Sequence, residues 1–219
     1  TWDKICEYTR NKGHYRLLRN AQNQGPALTR NAAVKATSAK LLFFLDADDR
    51  FRERHIFLCY RALHPKPGHY WVKTKVFMQD KLHTWWKRAV ENSIIINLCV
   101  KKECHDFIGG FPTHDLFKKV YAEDLFYSQM LFRFYSGLRV NAETVEYTRR
   151  TRNTFDNQLK KFQSLPGQNP EAVPENIEDL SVQVDRYILD YVKYLEDKQA
   201  GKSSARPPRK NGVRSSEGV

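Results

Sequence analysis

Cysteine is scarce in this sequence. Its 219 residues include four cysteines, Cys6, Cys59, Cys99 and Cys104, and no two of them form a C-x-x-C pair. That density is too low for a scaffold stabilised by disulfides. The seven histidines also lack the spacing of zinc ligands. We therefore expect reduced thiols, most of them in the core, and neither a disulfide framework nor a zinc site.

Long hydrophobic runs are also missing. The longest runs, Leu41 to Leu45 and Ile56 to Tyr60, are far shorter than the roughly 20 residues that span a bilayer. The first residues show no charged segment followed by an apolar one, which is the pattern of a signal peptide. From these observations we expect no membrane-spanning helix in these residues and a cytoplasmic location.

Positive charge, in contrast, is abundant. Lys and Arg number 37 against 25 Asp and Glu, for a net charge of +12, and such an excess suits nucleic acid or an anionic surface. However, the segments 149–161 and 199–219 each carry five basic residues against one acidic residue, and so hold eight of the twelve net charges. Because neither segment matches a nucleic-acid-binding motif, nucleic acid is the weaker choice of partner.

The composition changes near the carboxyl end of the chain. Apolar residues are 41% of the whole sequence, enough for a packed domain, but residues 200–219 are rich in Gly, Ser and Pro and predict a disordered basic tail. That tail could touch a membrane peripherally. Residues 177–199 have helical apolar spacing. We therefore predict a domain over 1–164, a linker over 165–176, a helix over 177–199 and a tail over 200–219.

Helical and strand-like segments alternate within the predicted domain. Gly25-Pro26 opens a helix, because proline suits the first helical turn. The apolar run from Leu41 to Leu45 predicts a strand buried on both faces of a parallel sheet. Further strands are predicted over 93–100, 138–141 and 144–148. This alternation predicts an α/β domain with a mostly parallel sheet.

Three aspartates, Asp46, Asp48 and Asp49, come directly after the apolar strand. In open α/β sheets, ligands bind in the crevice at the carboxyl ends of the strands. A D-x-D there can give an oxygen ligand to Mg²⁺ or Mn²⁺, which complete their shells with phosphate oxygens and water. The alternative is an acidic turn, since aspartate is common in turns.

Three segments of the sequence resemble a known family when they are taken together. They are NQGPALTRNAAVKATSAKLLFFLDADD, NSIIINLCVKKECHDFIGGFP and AEDLFYSQMLFRFYSG. Their Arg-Asn helix, D-x-D-D, Gly-Gly-Phe loop and Glu-Asp helix resemble, in this order, the family 2 glycosyltransferases. The resemblance covers about Asn23 to Arg152. It implies the GT-A fold, a Rossmann-like sheet flanked by helices.

The amino end departs from the family pattern. Members of the family begin with a strand and an acidic turn that hold the nucleotide base. This sequence starts at about the end of that turn. We therefore expect a chain truncated at its amino end, with an incomplete base pocket and a sheet that lacks its first strands.

The resemblance implies roles on the donor side of a site. Arg30 and Asn31 would bind the nucleotide sugar, and Asp46 would face the ribose or the sugar. Asp48 would also bind the nucleotide sugar and would hold the metal, Mn²⁺ or Mg²⁺, that bridges the diphosphate. Such an ion offsets the charge that develops on the leaving group.

The resemblance also implies roles on the acceptor side. Asp124 would be the general base that takes the proton of the acceptor hydroxyl during in-line attack, which inverts the anomeric carbon. Glu123 would orient the acceptor or support that base, and Gly109 and Gly110 would lie nearby. One conflict arises, because the first turn of a helix lowers the pKa of Asp124 whereas a base benefits from a raised pKa.

Several of these features also fit ordinary structural roles. Glu123 and Asp124 fit a plain acidic helix start, and Gly109-Gly110 fits a simple tight turn. Trp85-Trp86 could stack on an acceptor sugar, although a core-facing pair is favoured. Three arginines could meet the diphosphate or form a solvated face; they are Arg149, Arg150 and Arg152.

The expected function is that of an inverting, metal-dependent glycosyltransferase. Its donor would be a nucleotide-diphosphate sugar, with a UDP-sugar expected, and its acceptor a hydroxyl of a glycan or another molecule. The first alternative is a fragment or degenerate homologue that binds a glycan or a partner without catalysis. The second is a basic nucleic-acid-binding protein.

Overall fold

A computed structural model describes residues 2–64, 67–79, 84–120, 122–148, 177–202 and 207–208. Eight helices and five strands lie within these ranges. The helices are α1 (Trp2–Thr9), α2 (Gly25–Lys35), α3 (His55–Leu63), α4 (Thr84–Ser93), α5 (Lys102–Phe107), α6 (Asp115–Val120), α7 (Glu123–Phe134) and α8 (Ile177–Gln199). The strands are β1 (Leu41–Phe43), β2 (Arg50–Phe51), β3 (Trp71–Phe77), β4 (Leu98–Lys101) and β5 (Gly137–Glu146).

The strands form one sheet in the order β1-β4-β3-β5-β2. The predicted α/β class is therefore confirmed. Among the described strands, however, only β3 and β5 pair in parallel, and the other three neighbouring pairs are antiparallel. Since β1, β3 and β5 still run in one direction, the prediction of a mostly parallel sheet was right for strand direction and wrong for pairing. Apolar runs predict strands, but the direction of each pair depends on contacts distant in sequence.

Three predicted strands have different limits in the structure. Helix α4 continues to Ser93, and β4 begins only at Leu98, so the strand predicted over 93–100 is shorter. The two short strands predicted over 138–141 and 144–148 are one strand, β5, whose register against β3 shifts on both sides of Lys75. This irregularity explains why the sequence suggested two separate strands.

Alternate residues of the central strands supply two cores on the two faces of the sheet. On one face, Trp71 of β3 and Val100 of β4 pack in the larger core with residues of α7 and with Leu195 of α8. On the other face, Val72 of β3 and Cys99 of β4 pack against α3 in a smaller core. The sheet therefore lies between a layer built from α7 and α8 and a layer formed by α3.

Helix α8 is fastened to the larger core by its carboxyl half. The Tyr191 hydroxyl donates to the Ile108 carbonyl at 2.9 Å, and Lys198 Nζ donates to the Phe107 carbonyl at 2.7 Å.

The predicted linker over 165–176 and the helix expected near 154–162 lie outside the described residues, as does most of the predicted tail. The division of the chain into domain, linker, helix and tail stays a prediction. No helix in the described ranges has the length and apolar character needed to cross a membrane.

Candidate functional site

A cleft of about 330 Å³ opens where the loop after β1 meets the amino end of α7. One of its walls is acidic. It is lined by five carboxylates, Asp46, Asp48, Asp49, Glu123 and Asp124, together with Arg30 of α2. The cleft therefore contains the two acidic motifs that were predicted from separate parts of the sequence.

Local backbone structure places these acids. The chain turns directly after β1, where the Asp49 N–H donates to the Asp46 carbonyl at 3.1 Å. The Asp49 carboxylate then accepts a hydrogen bond of 2.8 Å from the Thr148 N–H, which ties this turn to the end of β5. Glu123 and Asp124 are the first two residues of α7. The turn after β1 and the first turn of α7 thus meet in the acidic wall of the cleft.

Arg30 joins the two sides of the acidic wall. Its Nη1 donates to Asp124 Oδ1 at 2.7 Å, across 94 residues of sequence. Its Nη2 donates to both oxygens of Asp46, at 2.8 and 3.1 Å. The Arg30 side chain is 13% exposed, against 45% for Asp46 and 27% for Asp124. The planar guanidinium, with several donors in a fixed geometry, suits this double contact.

The pKa values of Arg30 and Asp124 are both raised, but by different causes. Burial opposes the charged form of Arg30, but Asp124 and Asp46 outweigh it and raise the pKa of the guanidinium. Burial raises the pKa of the Asp124 carboxyl to about 7, with Glu123 and Asp46 acting in the same direction and Arg30 opposing them. Burial therefore gives Asp124 the raised pKa that suits a base, although Asp124 lies in the first turn of α7.

The remaining acids could hold a divalent cation only together with a substrate. No group of three His, Cys, Asp or Glu within the described ranges is arranged as a metal site. Mg²⁺ and Mn²⁺ need only one or two carboxylates when phosphate oxygens and water supply the other ligands. Because Asp48 and Asp49 both line the cleft, the donor set fits a cation of this kind beside a diphosphate.

Asn31 serves the Gly-Gly-Phe loop in this structure. Its Nδ2 donates to the Phe111 carbonyl and its Oδ1 accepts from the Phe111 N–H, both at 2.9 Å. Neither Asn31 nor the two glycines line the acidic cleft. Gly109 and Gly110 have φ of +78° and +76°, and a Cβ on Gly110 would lie 2.6 Å from Asn31 Oδ1. The structure thus gives these residues a loop-holding role, and their ligand contacts stay predictions.

Behind the other wall of the cleft lies a residue that the sequence did not single out. Lys73 of β3 is 1% exposed. Its Nζ donates to the carbonyls of Glu91, Asn92 and Ile94, at 3.0, 2.8 and 2.7 Å. These carbonyls belong to the end of α4 and the segment after it, where Ser93, Ile94 and Ile96 line the cleft. Lys73 therefore holds this wall in place.

Several predicted residues lie outside the described part of the chain. The side chains of Trp85 and Trp86 are among them, although α4 contains both positions. Arg149, Arg150 and Arg152 also lie outside it. Of the predicted site, the structure brings together Arg30, Asp46, Asp48 and the Glu123-Asp124 pair.

Comparison with known sequences identifies one family. Residues 1–126 match the family model of glycosyl transferase family 2. None of the curated protein sequences matches this chain.

Comparison with solved structures shows the same fold. TarS from S. aureus, in a structure with UDP-GlcNAc, superposes with a TM-score of 0.57 at 14% identity over 90% of this chain. The mannosyltransferase PcManGT from Pyrobaculum calidifontis, in a structure with GDP-Man and Mn²⁺, superposes with a TM-score of 0.56 at 15% identity over 93% of this chain. The matches cover 60% of the TarS chain and 63% of the PcManGT chain.

Proposed function

The chain belongs to glycosyl transferase family 2, and we propose that it transfers a sugar from a nucleotide-diphosphate sugar to an acceptor hydroxyl with inversion of the anomeric carbon. The observation that supports this most strongly is the Arg30 bridge. It brings an acidic turn after a strand and an acidic helix start into one cleft, with both carboxylates within 3.1 Å of one guanidinium. A purely structural acidic turn would not need a partner in the first turn of α7.

Asp124 is the proposed general base. It takes the proton of the acceptor hydroxyl while the acceptor oxygen forms a bond to the anomeric carbon. The bond from that carbon to the diphosphate oxygen breaks, the electron pair leaves with the nucleoside diphosphate, and a single displacement inverts the carbon. A pKa of about 7 suits this role, because a base works best when its pKa lies near the working pH. Glu123 lies beside Asp124 in the cleft and would orient the acceptor.

Arg30 and Asp46 are proposed to act on the donor side. Arg30 fixes the orientation of both carboxylates, so that little reorganisation is needed when the substrate binds. Asp46 keeps 45% of its side chain exposed. It can therefore accept hydrogen bonds from ribose or sugar hydroxyls without leaving Arg30.

Asp48 is the proposed ligand of Mn²⁺ or Mg²⁺, together with the diphosphate. A divalent cation bound there would offset the negative charge of the nucleoside diphosphate leaving group. The ligands of the two solved structures, UDP-GlcNAc for TarS and GDP-Man with Mn²⁺ for PcManGT, support a nucleotide sugar as donor. We propose a UDP-sugar for this chain.

Calorimetry with a panel of UDP- and GDP-sugars, with and without Mn²⁺, tests the proposal. The wild type should bind at least one donor, and Asp48→Asn should remove the dependence on Mn²⁺. Asp124→Asn should still bind the donor but should lose turnover, measured as released nucleoside diphosphate, by about 10²- to 10⁴-fold. Asp115→Asn is the matched control, because Asp115 lies on α6 in an exposed pair with Lys118.

Three outcomes would contradict parts of the proposal. If no nucleotide sugar binds, the donor class is wrong. If a donor binds and no acceptor supports turnover, the chain acts as a binding module. If Asp124→Asn turns over as fast as the wild type while Asp115→Asn does too, Asp124 is not the base.

A further inference from the structure

Helix α3 has large side chains both on the face that packs on the sheet and on the face turned to solvent. The inner face, His55, Cys59 and Leu63, is buried against the sheet. On the outer face, Ile56 is 56% exposed, Phe57 is 58% exposed and Tyr60 is 43% exposed. Three large apolar side chains side by side on one exposed helix face are more than the single exposed apolar residues of an ordinary protein surface. We refer to Ile56, Phe57 and Tyr60 as the α3 face.

Arginines lie close to the α3 face in the sequence. Between positions 50 and 61 the sequence has four of them, Arg50, Arg52, Arg54 and Arg61, and one acidic residue, Glu53. Arg50 and Arg52 share Glu146, at 4.0 and 2.9 Å. Arg54 lines a shallow groove with the α3 face. Arg54 and Arg61 are exposed, and neither pairs with an acidic side chain among the described residues.

We infer that the α3 face docks onto an anionic phospholipid surface, with Ile56, Phe57 and Tyr60 entering the headgroup region and Arg54 and Arg61 contacting lipid phosphates. Aliphatic and aromatic side chains beside arginines are the composition of an interfacial helix. Arginine can keep its stem on apolar surface while its charged end stays in the polar layer.

Other occupants fit this surface less well. A second copy of the chain, docked symmetrically through the same face, would place the arginines of the two copies near each other, and like charges oppose such contacts. A nucleic acid would leave Ile56 and Phe57 without apolar partners. Membrane docking is also independent of the proposed transferase activity, because the α3 face lies outside the acidic cleft.

The residues of the α3 face can be replaced without disturbing the core that holds helix α3. Cys59 and Leu63 pack with Val72 of β3 and Cys99 of β4, and all four are at most 3% exposed. The exposed side chains are not part of this small core. Their replacement should therefore leave the fold intact, which a thermal denaturation curve can verify for each variant.

Vesicle co-sedimentation of the full chain tests the inference. The wild type should bind vesicles of phosphatidylcholine with phosphatidylserine, and should bind pure phosphatidylcholine vesicles much more weakly. Phe57→Glu should weaken binding by at least about tenfold. Arg54→Gln and Arg61→Gln should each weaken it by about fivefold at low salt and less at high salt. Leu189→Glu is the matched control, since Leu189 is 70% exposed on α8, and it should bind as the wild type does.

Each other result overturns the inference. Phe57→Glu binding as tightly as the wild type would assign any vesicle binding to another part of the chain, such as the basic residues after 199. Equal losses for Phe57→Glu and Leu189→Glu would indicate a general effect of added negative charge. A wild-type dimer in sedimentation velocity that Phe57→Glu dissociates, without anionic vesicle binding, would make the α3 face a self-association surface.

Discussion

Two cations at the cleft are largely removed from solvent, and their partners differ. Arg30 on the acidic wall bonds to the carboxylates of Asp46 and Asp124. Lys73 behind the other wall bonds to three backbone carbonyls at the end of α4. Burial opposes both charges, yet the pKa of Arg30 is raised, whereas burial, reinforced by Arg139, lowers the pKa of Lys73 to about 7.

The difference shows that full negative charges compensate a cation for its lost hydration better than backbone dipoles do. Two carboxylates offset the desolvation of a guanidinium, so Arg30 keeps its charge at any physiological pH. Carbonyls at a helix end carry only partial negative charge, so they compensate the ammonium of Lys73 incompletely. The acidic wall therefore keeps the positive charge of Arg30 at physiological pH, while the Asp124 carboxyl, with a pKa of about 7, can exchange a proton there. The Lys73 wall is a structural element whose charge can change near neutral pH.

Removing the first cation should have the largest effect. In Arg30→Gln the two carboxylates of the acidic wall lose their common partner, so Asp46 and Asp124 repel one another. We expect turnover to fall by at least about 100-fold, and the free energy of unfolding to fall by about 1–3 kcal/mol. Arg30→Lys should recover part of the stability but little turnover, because an ammonium cannot donate to two carboxylates with the fixed planar geometry of a guanidinium.

Arg133→Gln is the control for this comparison. Arg133 pairs with Glu196 at 2.9 Å, but both side chains are more than half exposed, and such pairs contribute little. Turnover and urea denaturation of the two variants should therefore differ widely. Comparable effects of Arg30→Gln and Arg133→Gln would show that the bridge in the cleft is an ordinary surface pair.

Removing the second cation should affect stability more than chemistry, and the effect should depend on pH. Lys73→Met keeps the length of the side chain but leaves three carbonyls without their donor, at a cost of about 2 kcal/mol. The folded pKa of Lys73 is about 7 against an ordinary 10.5, so between these values the unfolded chain binds more protons. Wild-type stability from this group therefore rises with pH from about 7 to 10.5.

Lys73→Met lacks this rise, because methionine does not titrate. Its destabilisation should be smaller at pH 7 than at pH 9.5, as measured by urea denaturation at both values. A destabilisation that is the same at both values would mean that Lys73 keeps its proton in the folded protein. In that case the contrast with Arg30 would disappear.

The acidic wall could be predicted from sequence, because each of its parts is signalled locally. Arg30 belongs to a helix opened by Gly25-Pro26, and Asp46 follows an apolar strand, so the motifs place both of them without knowledge of the fold. Asp124 was likewise found in an acidic helix start. The Arg30 bridge itself could not be predicted, since it joins residues 94 positions apart.

The other wall could not be predicted, for a physical reason. A lysine within a strand normally points to solvent, and nothing near Lys73 in the sequence indicates otherwise. Its burial depends on carbonyls that lie 18 to 21 residues later in the chain. Asn31 is similar, because its partner is the backbone of Phe111, 80 residues away. Strand pairing could not be predicted for the same reason, since β4 pairs in the antiparallel sense with both β1 and β3.

The smallest expected effect is the change with pH in the free energy of unfolding that arises from Asp124, the proposed base. The folded pKa of Asp124 is about 7 against an ordinary 3.8, so between these values the folded chain binds more protons than the unfolded chain. Stability from this carboxyl is therefore fully present below about pH 4 and is lost as the pH rises through 7. The stability contributed by Asp124 thus falls as the pH rises, whereas the stability contributed by Lys73 increases, and the change from Asp124 occurs below neutral pH.

Asp124→Asn should remove this loss, because asparagine does not titrate. Relative to the wild type, the variant should gain stability between pH 5 and pH 8, by about 1 kcal/mol or less since the side chain is partly exposed. Urea denaturation at the two values measures this gain, with Asp115→Asn as the control. The absence of any gain between pH 5 and pH 8 would mean that the ion pair with Arg30 outweighs burial, because a carboxyl that is ionised in both states above pH 5 gives no pH dependence there. Asp124 would then be ionised well below neutral pH and would carry a fixed negative charge at pH 7.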